Sequence, residues 1–172
     1  MKKYELTGET RKVGGHTLHR IRAMRDFGNV LKGDLGGWIE SESNLSQDGK
    51  CWVSGNAKVY GDAKVSGDAR VGGNAEVYDN ARVYGNAAVY GDAKVSGDAH
   101  IATNADYAVY KNTWSSGRWI TYTRSNKMWK AGCFHGTGDE LVKKAYADSE
   151  LSGNCYKAIV EAQEYVDRVL RR

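Results

Sequence analysis

Eight side chains able to hold an anion by charge and ring contact fall between positions 114 and 130: Trp114, Arg118, Trp119, Tyr122, Arg124, Lys127, Trp129 and Lys130. Arg and Lys supply charge-assisted hydrogen bonds to phosphate, and aromatic rings offer stacking surfaces for a base. Next to them, His135-Gly136-Thr137-Gly138 leads into a helix start, where free backbone N–H groups favour anions. Asp139 and Glu140 oppose this, because they satisfy the same N–H groups and repel a ligand. The expected ligand-binding set is therefore Trp114, Arg118, Tyr122, Arg124, Lys127, Trp129, Lys130, His135, Thr137 and Gly138. In it Arg118 and Arg124 clamp phosphate while Trp129 or Tyr122 stacks. The competing reading makes the tryptophans the core of a small module and Thr137 only a helix cap.

The elements that must position these residues are short. Residues 107–111, 118–124 and 127–134 read as three strands, with Trp114-Ser115-Ser116-Gly117 and Ser125-Asn126 as turns. Arg118, Ile120, Tyr122 and Arg124 then share one side of the middle strand. Thr137 with Glu140 forms a capping-box pattern ahead of Leu141, Val142, Ala145 and Tyr146. A second helix is expected from about Asn154 to Leu170, on the period of Tyr156, Ile159, Val160, Val166, Val169 and Leu170.

Upstream lies the most regular part of the chain. From Val53 to Asp106 it divides into nine six-residue units, beginning at Val53, Val59, Val65, Val71, Val77, Val83, Val89, Val95 and Ile101. Each has an aliphatic residue first, Asn or Asp fourth and Ala fifth; seven have Gly third. A fixed period of six belongs to parallel β-helices. Val is stiff at Cβ and suits an inward rung. Gly followed by Asn or Asp suits a corner, and Ala fits inside it. With three units per coil, residues eighteen apart stack at about 4.8 Å, so Lys58, Glu76 and Lys94 form a ladder of alternating charge. Ile39 and Leu45 extend the period backwards, but the step from Leu45 to Val53 is eight residues. An incomplete first coil is the expectation.

The Val-x-Gly-[Asn/Asp]-Ala-x units resemble the hexapeptide repeats of left-handed β-helix proteins, a family best known for trimeric acyltransferases. The resemblance implies the left hand and a homotrimer. The segments Arg20-Ile21-Arg22-Ala23, Asp26-Phe27, Gly33-Asp34-Leu35-Gly36-Gly37-Trp38 and Asn44-Leu45-Ser46 resemble the start of hexapeptide-repeat proteins commonly encoded by phages and prophages. Trp129-Lys130-Ala131-Gly132-Cys133-Phe134 and Gly136-Thr137-Gly138 resemble the C-terminal module of such proteins. Acyl transfer in this family needs a general base, usually a His near a subunit interface, and a donor cleft. His100 is the sole His of the repeat, level with Lys64 and Arg82 at the outward sixth position, and no long loop interrupts the hexads.

Three regions follow: a β-rich N-terminal cap over residues 1–37, with strands at 3–6, 11–13 and 16–25; the hexapeptide β-helix over 38–106; and a three-stranded α+β module with two helices over 107–172. The expected fold is mainly β, a short left-handed parallel β-helix between these two flanks. The formal net charge is +4, spread as eight Lys/Arg against four Asp/Glu in the cap, six against ten in the repeat and eleven against seven in the tail. An acidic prism without a recognised motif argues against long nucleic acid as a partner. The sequence shows no apolar run of membrane length, and the Lys2-Lys3 start lacks the apolar stretch expected next in a signal peptide. Cys51, Cys133 and Cys155 lack CxxC spacing and fit reduced thiols in a cytoplasm, the host's if the protein is phage-encoded. His16 and His19 lack metal-like partners, and neither metal nor cofactor is called for. The expected function is a non-enzymatic homotrimer that sequesters a small anionic, nucleotide-like ligand, in the manner of a counter-defence sponge. An acyl- or acetyltransferase using His100, or a purely structural trimerisation protein, are the alternatives.

Overall fold

The computed structural model describes residues 1–171. Stiff Val side chains at every sixth position build a parallel β-solenoid from two-residue strands: β4 (Trp52–Val53), β5 (Lys58–Val59), β6 (Lys64–Val65), β7 (Arg70–Val71), β8 (Glu76–Val77), β9 (Arg82–Val83), β10 (Ala88–Val89), β11 (Lys94–Val95) and β12 (His100–Ile101). The aliphatic residue ending each strand is at most 1% exposed, and every fifth-position Ala from Ala57 to Ala99 is fully buried. The Gly residues at third positions have φ between +62° and +70°. Asp79 takes their place in the fifth hexad at φ 58°, a conformation Asp tolerates better than most residues.

Stacking generates three walls. With β3 (Leu35–Ile39), the first wall runs β3-β5-β8-β11; the second runs β6-β9-β12; the third runs β4-β7-β10. Ile39 pairs with Val59, Leu45 bridges to Val65, and Val53 pairs with Val71. The first coil is thus complete, against the sequence expectation, and the solenoid makes about four turns. The two surplus residues between Leu45 and Val53 are absorbed at a corner, where Gly49 (φ +68°) lies so close over Gly67 that an added Cβ would sit 2.3 Å from its carbonyl oxygen. On the first wall, Glu76 stands between Lys58 at 3.2 Å and Lys94 at 3.6 Å, the alternating ladder the period predicts.

The hydrogen-bond ladder is polar along the axis. Backbone N–H groups of each coil donate to carbonyls of the next, as Trp52 N does to Ala69 O and Lys58 N to Ala75 O. The first coil therefore has spare carbonyls and the last has spare N–H groups. Side chains of the flanks supply what is missing. At the bottom, Lys3 Nζ donates to Asp48 O and Cys51 O, and Tyr4 hydroxyl donates to Leu45 O at 2.6 Å. At the top, Lys94 N donates to Thr121 Oγ1 at 2.9 Å, His100 N to Ser125 Oγ at 2.8 Å and Ala88 N to Asn104 Oδ1 at 2.8 Å. Both flanks pack on their own solenoid and close edges that would otherwise template pairing with another chain.

The N-terminal flank continues the first wall. β1 (Tyr4–Val13) pairs antiparallel with β2 (His16–Ala23), and β2 with β3, extending the first wall to six strands. Where two short strands were expected, β1 is one strand with an irregular register between Leu6 and Thr10. Tyr4 and Phe27 meet the Trp52 ring edge-on, at 6.5 and 5.4 Å between centroids, and plug the solenoid's lower end.

The C-terminal flank has four strands rather than three: β13 (Tyr107–Lys111), β14 (Trp119–Thr123), β15 (Met128–Ala131) and β16 (Phe134–Gly136). The reason is Gly132, which at φ +58° turns the chain with Cys133 so that Ala131 pairs with Phe134. Two helices follow, α1 (Gly138–Asp148) and α2 (Glu150–Leu170). The Thr137–Glu140 capping box forms as its spacing predicts. Ser149 caps α2 by accepting from Ser152 N at 3.1 Å, which starts that helix one turn before the expected Asn154. No helix among the described residues is long and apolar enough to cross a membrane.

Candidate functional site

Strand alternation divides the anion-binding cluster that the sequence gathers in one stretch. Tyr122 and Trp129 point toward the helices, where they join Ile120, Leu141, Tyr156 and Val160 in a core and are 5% and 2% exposed. Their rings pack on each other at 4.9 Å, so neither is free to stack on a base. Trp114 packs edge-on against Tyr156 at 5.1 Å in the same module. Lys130 and His135 face one another across β15 and β16. Arg118 stands elsewhere, at the outer end of β14 beside Gly132, whose added Cβ would lie 2.6 Å from its Nη1.

Arg124 is committed too. Its Nε donates to Asp167 Oδ1 at 3.1 Å, Gln163 Nε2 donates to the same oxygen at 2.8 Å, and the Tyr122 hydroxyl donates to Asp167 Oδ2. The paired roles expected of Arg118 and Arg124 thus come apart: Arg124 locks α2 to the sheet. Burial alone would raise the Asp167 carboxyl, but the bonds from Tyr122, Gln163 and Arg124 outweigh it and hold it below the usual carboxylate range. Burial, then the bond to Asp167, pushes the Tyr122 hydroxyl upward. A groove of about 340 Å³ opens over this network, lined by five of the expected residues, Tyr122, Lys127, Trp129, Thr137 and Gly138, with Asp139, Gln163, Glu164, Asp167, Arg168 and Arg171. Its three cations face three carboxylates, so it has no excess charge to attract an anion.

Two of the depressed carboxylates fix a pH dependence. At Glu40, first the His16 ring at 3.0 Å and then the Gly61 N–H lower the carboxyl. Groups lowered on folding contribute stability that is complete above their unfolded value, about 4, and is lost as pH falls through the folded value. Thermal unfolding should therefore be flat from pH 7 to about 5 and collapse below about 4. Asp167→Asn should lower the melting temperature at pH 7 and flatten that acid limb; an unchanged limb would mean the network stores no such energy.

The structure assembles a second groove of about 560 Å³ that the sequence does not announce. Arg11 from β1, Lys58, Glu76 and Lys94 from the first wall, the corner column Asn56, Asn74 and Asp92, and Arg118, Trp119 and Gly132 from the C-terminal sheet line it. The indole of Trp119 is 43% exposed, with Lys111 Nζ 5.3 Å from its centre. Arg11 lies over Trp38 at 4.4 Å, which fixes its guanidinium at the opposite wall. Glu76 is already neutralised by Lys58 and Lys94, leaving cations in excess. Of the expected ligand residues only Arg118 is here. Trp119 and Arg118 are sequence neighbours that both reach this groove, Arg118 from just before β14 begins, but their partners from β1 and the first wall are distant in sequence.

His100 is exposed on the second wall, in register with Arg82, and its ring meets Tyr84 edge-on at 6.4 Å. Its backbone N–H is held by Ser125, but among the described residues no carboxylate pairs with its ring. A groove of about 470 Å³ runs beside it past Tyr84, Arg82, Lys64, Ser66 and Ser46.

Period, walls and corners together define a hexapeptide-repeat parallel β-helix. No protein-family model matches the chain. It is 38% identical over 61 residues to the uncharacterized acetyltransferase YdcK of Escherichia coli (strain K12), a match that takes in 31% of this chain and 19% of that relative. The chain thus spans about a fifth of the length of the curated relative it matches.

Proposed function

We propose that the protein is a non-enzymatic binding protein for a small anionic, nucleotide-like ligand, held in the groove between the first wall and the C-terminal sheet. One observation carries this: an exposed Trp119 indole stands among Arg11, Lys58, Lys94 and Arg118, where the carboxylates are only Glu76, already paired twice, and Asp92. A ring to stack on and guanidinium groups to meet phosphate are the two requirements of nucleotide retention. On this reading the protein assembles as a phage-type homotrimer, in keeping with the hexapeptide repeat, and sequesters its ligand as a counter-defence sponge in the host cytoplasm. Acetyl transfer is the second reading, favoured by the match to YdcK and by the groove beside His100.

Native mass spectrometry with cyclic and linear nucleotides and acetyl-CoA, followed by calorimetry, tests both. The expected result is a nucleotide retained intact, with affinity falling roughly 100-fold in Arg118→Ala/Trp119→Ala, since stacking and one charge-assisted bond are each worth about 1–3 kcal/mol. Unchanged affinity in that variant removes the site. Turnover of acetyl-CoA that His100→Ala abolishes would establish the second reading instead.

A further inference from the structure

The second wall carries a charge pattern that the first wall avoids. Lys64, Arg82 and His100 lie in direct register on β6, β9 and β12, all exposed. Neighbouring rungs are about 4.8 Å apart, and like charges directly opposite one another destabilise a sheet. On the first wall the same position is Lys58, Glu76, Lys94, with the carboxylate bonding both lysines. On the second wall no carboxylate intervenes, and among the described residues none of the three basic groups has an ion-pair partner. Glu42 borders the groove at its lower end but is held by Lys2 at 2.6 Å. The hydroxyls of Ser46 and Ser66 line the same groove, and Tyr84 flanks it.

We infer that this ladder is a binding site for a linear oligophosphate lying along the solenoid axis, with one basic side chain for each phosphoryl group. A line of two cations and an imidazole spanning two rungs, about 10 Å, suits a triphosphate chain in length. The acidic corner residues Asp62, Asp68 and Asp98 border the wall and repel a broad polyanion, so the ligand is narrow. Arg82, central and able to bond two phosphoryl oxygens at once, is the specificity-determining residue. The site lies on a different wall from the Trp119 groove and does not depend on it.

Calorimetry with sodium tripolyphosphate, in parallel with a nucleoside triphosphate, tests the assignment at low ionic strength. The expected result is one site per chain for tripolyphosphate, weakened by added salt. Arg82→Gln should bind roughly tenfold more weakly, the loss of one charge-assisted contact, and Lys64→Gln/Arg82→Gln should not bind detectably. In Trp119→Ala, which lacks the stacking ring of the first groove, equal affinities for the two ligands assign the site to the oligophosphate alone, and a tighter nucleoside triphosphate assigns it to the phosphate tail of a nucleotide whose base contacts Tyr84. Failure of the unsubstituted protein to bind tripolyphosphate overturns the proposal, as does an Arg82→Gln variant of unchanged affinity.

Discussion

Gly37→Val is expected to unfold the lower half of the solenoid, at a cost of at least about 3 kcal/mol, because it combines overpacking of 1–3 kcal/mol with lost rung hydrogen bonds. A Cβ at position 37 would lie 2.6 Å from Ala57 O, 2.7 Å from Val53 Cγ1 and 3.3 Å from Ser54 O. None of these atoms is the loose end of a side chain. Ala57 O accepts from Trp38 N at 2.9 Å, so moving it opens the join between the first coil and the second. Val adds two methyl groups at a point already closed by Val53, a fully buried residue. Gly8→Val is the control: it too adds a β-branched side chain to a strand glycine, but nothing lies within 4 Å of its Cβ. Denaturant unfolding of the two variants should separate them by about 3 kcal/mol or more; equal stabilities would show that the first coil can yield without loss.

The rungs and corners of the solenoid were readable because one residue does one job in every hexad. Val at the first position, Ala at the fifth and a turn-forming pair between them repeat often enough that period alone fixes the wall and register of Lys58, Glu76 and Lys94. The breaks in the repeat were harder to read. The eight-residue step from Leu45 to Val53 looked like a lost wall, yet a corner can lengthen while its two flanking rungs stay in register. Gly132 was hidden inside what read as a continuous strand, since a two-residue turn leaves little trace when both flanks are apolar and aromatic.

The candidate site was less legible, and the reason is alternation and distance. Trp129, Tyr122, Arg124 and Arg118 are close in sequence and equally suited to an anion by type. Only the fold shows that the first two fill a core, that Arg124 answers to Asp167 forty-three residues later, and that Arg118 stands at a groove edge. The partners that give Trp119 its surroundings come from β1 and from the first wall. The stacking of Lys64, Arg82 and His100 without an intervening carboxylate was implicit in the period, but its meaning depends on the contrast with Glu76, which becomes visible only when the ion pairs are in place.

Lys3→Ala should cost about 2–5 kcal/mol, from one or two buried carbonyls left without donors and a lost core side chain. Lys3 is fully buried, an unusual place for a lysine, and its sequence context gives no reason for it. The reason is the polarity of the ladder. Each coil donates upward and accepts from below, so the carbonyls of the lowest coil need donors that no further coil can provide. Lys3 Nζ meets Asp48 O at 3.2 Å, Cys51 O at 3.0 Å and Cys51 Sγ at 3.2 Å, and sits 5.3 Å from the Phe27 ring centre. It thereby serves the corner that the two surplus residues distort. The upper end needs acceptors instead, and there the chain supplies the Thr121 and Ser125 hydroxyls and the Asn104 carboxamide. Ser125→Ala removes one acceptor at an exposed edge that water can reach, so it should cost only about 0.5–1.5 kcal/mol. Urea unfolding of both variants checks the asymmetry: a Lys3→Ala variant as stable as Ser125→Ala would mean that water enters beneath the first coil and that the buried ammonium is dispensable.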